Sequence, residues 1–379
     1  MKDQIKDKLD IIADVWNDFI WDNKFCRNQI NFSPEAESNY FGDILGYFYD
    51  TFDIIYKKKN GAEHAENFAS HISFLQSIYV QQDFIEEMLI LFKTNIVKGD
   101  LKLDNDYSLN REIRNELVGH PFRKLDSKVI SSTVFGYERS PDTITYLRYH
   151  TNNNFNCEII KVKIEDITKR HTSFLNTYFD IIIEKLKSVT AKYSEELEAV
   201  KNKMETVSFP SLVKIISQKF KPFLENTFLY DEKSILEIYE KRKQHKRYSI
   251  VYDSFLSDLK KRIFEMQENC NTIFNKLVFT DHHIELPLFD DDGNLINIFP
   301  LKVKEGRKKE SYHYELGKLS TKRQPKEFDF FSGFLKAKCS HKTVLFELER
   351  MRNHLDNDVE YLSSHKLISR ILKEDDYDC

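Results

Sequence analysis

The sequence predicts a mainly α-helical protein that carries one small β-meander. Glycine and proline are scarce, with 10 and 8 residues among 379, whereas lysine, glutamate, leucine, isoleucine and phenylalanine are plentiful. That composition favours long helices over a turn-rich β fold. Apolar residues recur at helical spacing in both halves of the chain, and alternating patterns are confined to short stretches. The length favours two domains, which we predict at residues 1–207 and 208–379.

The first domain is predicted to begin as a helical bundle. Apolar residues at helical spacing predict three helices, near residues 3–22, 35–57 and 62–95. The third is apolar around much of its girth, so we expect it at the centre of the bundle.

A fourth helix is predicted from about Leu109 to Val118, because the sequence marks both of its ends. Ser108 is a suitable N-cap, and Pro121 cannot continue a helix. Gly119 is suited to the left-handed position that follows a last helical turn. Unwinding at this glycine would turn the next side chain back toward the preceding helix face.

Three strand-like stretches follow and predict a β-meander, at about 129–138, 142–150 and 155–163. Asp166 can then cap a long helix that runs to about residue 207. The second domain is predicted as a mostly helical α+β region, with RNA recognition or regulation as its candidate roles. Its predicted helices lie near 211–225, 233–244, 248–277 and 328–374, with strand-like segments and an acidic turn within 278–303.

The charge balance limits how the chain could bind nucleic acid. The formal net charge is −4, which argues against a protein that coats nucleic acid through bulk charge, so any such contact is expected to be local. Two basic stretches could supply it, at residues 241–248 and 302–326. Runs of this kind are more often plain solvated surface.

Cysteine content and hydropathy predict a cytoplasmic protein. The five cysteines are scattered and form no metal-binding or disulfide pattern, so we predict no metal and no cofactor. Charges interrupt every apolar stretch near the N-terminus, and no later run reaches membrane-spanning length. We therefore expect neither a signal peptide nor a membrane contact.

The best functional clue is an Arg-Asn-x4-His motif, formed by Arg114, Asn115 and His120 at the end of the fourth helix. Arginine binds phosphate through a planar fork, asparagine donates and accepts hydrogen bonds, and histidine transfers protons near neutral pH. These groups can cut RNA through its own 2′-hydroxyl without a metal. Such a strict motif is expected by chance in about one in thirty chains of this composition. Arg307 and His313 match only a looser form, which we interpret as coincidence.

The segment from Arg114 to Pro121 resembles the Arg-polar-x4-His signature of the HEPN superfamily (higher eukaryotes and prokaryotes nucleotide-binding). Residues 75–89 are also similar to the third helix of some bacterial HEPN-like proteins. The resemblance covers about residues 1–200. It implies a helical bundle that dimerises, so that two copies of the motif share one composite cleft, and it implies a metal-independent endoribonuclease of the kind found as toxins or antiphage effectors.

The resemblance also implies roles for the motif. Arg114 would bind the scissile phosphate, Asn115 would position it, and His120 would be the acid or base. The products would be a 2′,3′-cyclic phosphate, or the 3′-phosphate derived from it, and a 5′-hydroxyl. Further substrate contacts are predicted at basic residues beside the motif and in the stretch 241–248: Arg111, Arg123, Lys124, Lys241, Arg242, Lys243, Lys246 and Arg247.

One departure from the family concerns its inhibition. Toxins of this family that a partner nucleotidyltransferase silences commonly carry a tyrosine two residues after the histidine, where this chain has Phe122. The chain also lacks a nucleotidyltransferase pattern and a P-loop. Any antitoxin or inhibitor is therefore expected to be a separate protein.

Plainer interpretations of the motif stay open at this point. Arg114 and Asn115 could cap their helix and pair with Glu112 or Glu116, and His120 could hydrogen-bond within the turn. The chain would then be a catalytically silent module that binds RNA or nucleotides, or a helical scaffold for protein interactions.

Overall fold

The computed structural model describes residues 2–33, 35–57, 63–137, 140–219, 230–278 and 312–377. The predicted fold class is confirmed, because helices dominate and a small antiparallel sheet interrupts them. Contacts divide the chain into two compact units. The first unit comprises Met1–Glu195 with Cys270–Val278, and the second comprises Glu196–Asn269 with Phe279–Cys379.

In the first unit, the helix that carries the Arg-Asn-x4-His motif ends beside the sheet. α4 packs against α3 and α5, as its wide apolar girth would suggest. Its buried Gln82 donates to the Tyr107 carbonyl at 3.1 Å and so ties α4 to α5. The helices are α1 (Lys2–Val15, continued as a π-helix over Trp16–Trp21), α2 (Lys24–Arg27), α3 (Tyr40–Tyr56), α4 (His64–Leu91), α5 (Asn105–Arg114) and α6 (Ile164–Lys203).

The motif helix α5 begins earlier than predicted, so the assignment of Ser108 as its N-cap is wrong. Asp104 is the cap, and its Oδ1 accepts hydrogen bonds from the amides of Asp106 and Tyr107 at 2.7 and 3.1 Å. Ser108 lies inside the helix and donates to the Lys102 carbonyl. A carboxylate that accepts two backbone amides is a strong cap, so the helix begins four residues before the predicted position.

The end of the motif helix also differs from the prediction. Gly119 does not have a positive φ. Instead α5 continues as a π turn over Asn115–Gly119, and the amide of His120 donates to the Asn115 carbonyl at 2.7 Å. A π turn is closed by an i→i+5 hydrogen bond, so its hydrogen-bonded loop contains one residue more than that of an α-helix. Such turns are frequent at functional sites. The motif therefore spans a π turn rather than a left-handed glycine cap.

The sheet is an antiparallel meander in the order β1-β2-β3-β4. The three predicted strands are present, and a further strand, β1, lies directly after the motif. β1 is short and mostly exposed, so no alternation of buried residues marks it in the sequence. The strands are β1 (Phe122–Leu125), β2 (Lys128–Phe135), β3 (Thr143–His150) and β4 (Glu158–Lys163).

One apolar cluster joins the sheet to the helices of the first unit. Ile144 and Tyr146 of β3 lie in the same cluster as Phe74 of α4. Ile113 of α5 and Leu117 of the π turn belong to it as well. Burial of the sheet's inner face therefore also fixes the end of the motif helix.

The second unit is helical in its described residues. Its core includes the fully buried Leu319, Phe328 and Leu348. Several predictions lie outside the described residues: the strand-like segments and acidic turn at 279–303, and Arg307 of the second motif match. The helices are α7 (Phe209–Lys219), α8 (Glu232–Lys241), α9 (Lys246–Thr272), α10 (His313–Thr321), α11 (Pro325–Lys338), α12 (Lys342–Asn353) and α13 (Asp358–Tyr377).

Candidate functional site

Arg114 is held by neutral groups at the end of α5. Its guanidinium carbon lies 3.7 Å from the centre of the Tyr79 ring. Nε and Nη2 donate to Gln76 Oε1 at 3.2 and 3.0 Å, and Nη1 donates to Asn115 Oδ1 at 3.1 Å. Gln76 and Tyr79 lie one turn apart on α4, so a single face of α4 positions the guanidinium.

These contacts leave the charge of Arg114 without a counter-ion. Within the described ranges, no carboxylate pairs with Arg114, and so the proposed pairing with Glu112 or Glu116 is not found. A guanidinium carries five N–H bonds, and the contacts with Gln76 and Asn115 use three of them. Two N–H groups and a full positive charge therefore remain to bind an anion.

Gly119 leaves the space that the guanidinium occupies. A Cβ built on Gly119 would lie 2.6 Å from Nη1 of Arg114 and 3.4 Å from Oδ1 of Asn115. No side chain fits at such a distance without moving the arginine. Gly119 is therefore needed because it lets the Arg114 guanidinium approach closely. It does not adopt the left-handed backbone conformation that the sequence predicts.

Asn115 lines a cavity of about 470 Å³ that has more basic than acidic side chains in its walls. Its Oδ1 accepts from Arg114, and no hydrogen bond within the described part of the chain engages its Nδ2, which can donate to a ligand. Arg111 and Arg123, both predicted as substrate contacts, line the same cavity. The full lining is Glu86, Lys98, Gly99, Lys102, Tyr107, Ser108, Arg111, Glu112, Asn115 and Arg123.

Four of the lining side chains are basic and two are acidic. One of the acids, Glu86, also accepts a hydrogen bond from the Gly99 amide at 2.9 Å. The cavity is thus locally positive, although the net charge of the chain is −4. On a chain with this net charge, any contact with nucleic acid is expected at a local basic surface of this kind. Lys98 and Lys102 were missed from the sequence, because the polar segment before α5 was interpreted only as a connection.

Arg111 also contacts the Tyr79 ring. Its Nη2 pairs with Asp83 at 2.6 Å, and its guanidinium carbon lies 4.0 Å from the centre of the Tyr79 ring. Tyr79 therefore carries two arginines, Arg111 and Arg114, through cation–π contacts. The spacing of Gln76, Tyr79 and Asp83, which places them on one side of α4, was the available signal for this face.

His120 is exposed and follows the glycine against which Arg114 lies. Its backbone amide is held by the Asn115 carbonyl. In the part of the chain that the structure describes, no hydrogen bond or ion pair engages its imidazole, so the alternative of a hydrogen-bonded turn histidine is not found. Neither His120 nor Arg114 lines the cavity beside Asn115. The motif thus borders the cavity, with Asn115 as the shared residue.

Glu116 anchors the π turn to the sheet. Its side chain is buried and accepts from the Tyr146 hydroxyl at 3.0 Å, and Arg148 lies 3.6 Å away. The hydroxyl of Thr133 donates to its carbonyl oxygen. Burial and the Glu116 charge together raise the pKa of Tyr146, so the phenol stays a donor. The sheet therefore fixes the backbone that carries Asn115 and His120.

The basic stretch 241–248 has mainly structural contacts within the second unit. Arg247 is buried and forms a forked pair with the buried Glu347 at 2.8 and 3.0 Å. Lys241 pairs with Glu237 and Glu360 at 2.7 and 2.9 Å. Arg242 stacks on Tyr239, at 3.6 Å from the ring centre. Lys243 and Lys246 are exposed, as is Lys124 on β1.

Comparisons with protein families, with curated proteins and with solved structures each found no match to this chain. Among the described residues, no helix is long and apolar enough to cross a membrane. Within the same ranges, no group of three or more histidine, cysteine, aspartate or glutamate side chains is placed to hold a metal ion.

Proposed function

We propose that this chain is a metal-independent endoribonuclease whose site is formed by Arg114, Asn115 and His120. The observation that carries the proposal is the uncompensated charge of Arg114, fixed by Tyr79 beside a cationic cavity. An arginine that is held in place but has no counter-ion is suited to a phosphate. The 2′-hydroxyl of RNA supplies the nucleophile, so the protein needs only to position the phosphate and move protons.

In the proposed reaction the 2′-oxygen attacks the adjacent phosphorus while the bond from phosphorus to the 5′-oxygen breaks. Neutral His120 takes the proton of the 2′-hydroxyl. The two remaining N–H groups of Arg114 and the Nδ2 group of Asn115 donate to the phosphate oxygens as negative charge accumulates there. The products are a 2′,3′-cyclic phosphate and a 5′-hydroxyl.

The departing 5′-oxygen needs a proton, and a second copy of the chain would supply it. A protonated His120 of that copy is the acid in our proposal, which makes the site composite and the active form a homodimer. The expected biological role is that of a toxin or antiphage effector, held in check by a separate inhibitor protein.

The first test is RNA cleavage in the presence of EDTA. We expect wild type to cut, whereas His120→Ala loses about 10²-fold to 10⁴-fold in rate, the usual contribution of a proton-transferring group. Arg114→Ala should lose about 10²-fold to 10³-fold, the usual contribution of a donor that stabilises developing negative charge. His341→Ala, at an exposed histidine of the second unit, is the matched control and should cut like wild type. Sequencing of 5′-hydroxyl ends would identify the products. If His120→Ala cuts as fast as wild type, the catalytic assignment is wrong.

The second test addresses the composite site. A tenfold excess of His120→Ala chains, mixed and re-equilibrated with wild type, should reduce the activity per wild-type chain, because most wild-type chains would then lack an intact partner. Unchanged activity in the mixture, together with a monomer in light scattering, would contradict the composite site and leave a single-chain enzyme.

A catalytically silent RNA-binding module is the second candidate, and one observation favours it. Three N–H groups of Arg114 are already engaged, and His120 does not line the cavity that Asn115 borders. Such a module would show a salt-dependent gel shift with RNA and no new RNA ends in the cleavage assay.

A further inference from the structure

A second and larger cleft lies in the first unit and shares no lining residue with the cavity beside Asn115. Its volume is about 620 Å³, within the range of small-molecule sites. It lies where the end of α3, the first half of α4, the start of β3 and the junction of β4 with α6 meet. Among its lining residues are Tyr56, Ser70, His71, Phe74, Lys163 and Thr172.

The floor of this cleft is apolar and rigid. Ile55 and Phe74 are almost fully buried and belong to the cluster that packs the sheet on α4. The Thr172 hydroxyl donates to the Thr168 carbonyl at 2.7 Å and accepts from the Tyr56 hydroxyl at 3.0 Å. A flat apolar group can therefore rest on this floor without breaking a hydrogen bond.

His71 provides a polar group with a fixed direction. It is buried, and one ring nitrogen hydrogen-bonds to the Pro141 carbonyl. Burial lowers the pKa of His71 below its ordinary value, although the bond to Pro141 acts in the opposite direction. The imidazole is therefore neutral at pH 7, with one nitrogen donating to Pro141 and the other left as an acceptor.

The sides of the cleft carry four lysines and two acids. Lys57 is paired with Asp53 at 2.5 Å and Lys169 with Glu165 at 2.8 Å. In the described ranges, no ion pair engages Lys163. The cleft thus combines an apolar floor, one acceptor nitrogen and Lys163, whose charge no described carboxylate compensates.

We propose that this cleft is a binding site for a small organic anion with a flat apolar body. The body would rest on Phe74 and Tyr56, a donor N–H or O–H would bind His71, and the anionic group would pair with Lys163. Each of the three features selects against ligands that lack its complement. An inorganic anion does not cover the floor, and an uncharged aromatic molecule does not use the lysine.

Calorimetric titration tests this proposal with four probes at about 1 mM, the limit of weak specific binding. AMP and 4-hydroxyphenylacetate have a flat body, a donor group and a negative charge, whereas adenosine lacks the charge and inorganic phosphate lacks the body. We expect at least one of the two organic anions to bind more tightly than either control. The proposal is overturned if neither organic anion binds, or if phosphate alone binds as well as they do.

Matched variants locate the binding. Ser70→Trp fills the cleft and should abolish binding, whereas Ser73→Trp places the same group on an exposed position of α4 outside the cleft. Lys163→Glu should weaken binding about tenfold or more, as expected when a charge-assisted contact is lost. Its control is Lys161→Glu, which lies two residues away on the same face of β4 and does not line the cleft.

The variants also keep the result separate from the ribonuclease proposal. Binding that persists unchanged in both Ser70→Trp and Lys163→Glu would place the ligand elsewhere and reject this site. His120→Ala should bind the probes like wild type, because no residue of the motif lines the cleft. Failure of RNA cleavage would therefore leave the binding result intact.

Discussion

At the scale of single residues, the contacts of Arg114 set it apart from an ordinary helix-end arginine. Its neighbours are an amide on α4, an aromatic ring and Asn115. Neutral acceptors fix the direction of the guanidinium without cancelling its charge. An acidic neighbour would have stabilised the helix in the same place but would have competed with a phosphate.

Gly119→Ala tests whether the position of this guanidinium matters. The new Cβ would meet Nη1 at 2.6 Å, so the arginine must move while its charge stays. We expect single-turnover RNA cleavage to fall by about 10²-fold, the cost of a misplacement on the order of 1 Å, with little change in the thermal unfolding midpoint.

The control for this variant is Gly46→Ala in α3, where no atom lies within 4 Å of the added Cβ. Alanine in a helix interior is more favourable than glycine by about 0.5–1 kcal/mol, so this control should be slightly more stable and fully active. Equal cleavage rates for both alanine variants would show that the position of the Arg114 guanidinium does not limit the reaction.

The polar residues of the site differ in how far the sequence reveals them. Arg114, Asn115 and His120 are close along the chain, so their spacing alone selects them. Gln76 and Tyr79 act on Arg114 from another helix, and pairing of helices is not encoded in periodicity. Local patterns therefore predict the motif, whereas the residues that hold Arg114 in place can be identified only from the folded structure.

At the scale of elements, the helix and strand types follow from the sequence more closely than their ends do. α4 and α6 have long apolar repeats and lie close to their predicted ranges. The predicted cap of α6 is wrong, because the helix begins at Ile164 and Asp166 lies in its first turn. The predicted cap of α5, Ser108, is wrong by four residues, because Asp104 accepts from the first free amides of the helix. The π turn depends on Glu116 reaching Tyr146 on β3, a contact between elements.

Glu360 joins several helices of the second unit, so its titration should control their stability. Burial raises the pKa of its carboxyl, but hydrogen bonds outweigh that effect and lower the pKa to about 2. The donors come from α8, α9 and α12: Lys241, Tyr248 and Arg350. A lowered pKa means stability that is present above the unfolded-state value and is lost as the pH falls toward the folded value.

Glu360→Gln isolates this contribution. At pH 7 we expect the variant to be less stable than wild type by on the order of 3 kcal/mol, the equivalent of the shift from 4.5 to about 2. The difference should shrink between pH 4.5 and pH 2 in urea unfolding followed by circular dichroism. Glu349→Gln, exposed on α12, is the control. A difference that is independent of pH would show that shape, rather than charge, makes Glu360 important.

At the scale of the whole molecule, the proposed function on a chain with a net charge of −4 requires a local group of cations for RNA. The individual substrate contacts predicted from the sequence form two such groups, beside the motif and in the stretch 241–248. Lys241 and Arg247 of the second group are already paired with carboxylates, which leaves less charge for a ligand. Four cations line the cavity beside Asn115, and Arg111 among them is paired with Asp83. Among the described residues, no ion pair engages the other three. We therefore infer that the motif side carries the RNA contact.

The salt dependence of RNA affinity decides between these two groups. Each phosphate neutralised on a single strand contributes about −0.7 to the slope of log affinity against log salt. Arg114 and the three unpaired cavity cations, Lys98, Lys102 and Arg123, therefore predict a slope of about −3. The measurement uses the His120→Ala chain, in which the RNA stays intact. Combining Lys98→Gln with Lys102→Gln should roughly halve the slope, because both lysines line the cavity. Lys243→Gln with Lys246→Gln removes the same charge from the second unit and should leave the slope unchanged.

A slope that responds only to the second pair of substitutions would place the RNA contact at residues 241–248. Equal responses to both pairs would show that RNA binding depends on the net charge of the chain and not on the cavity.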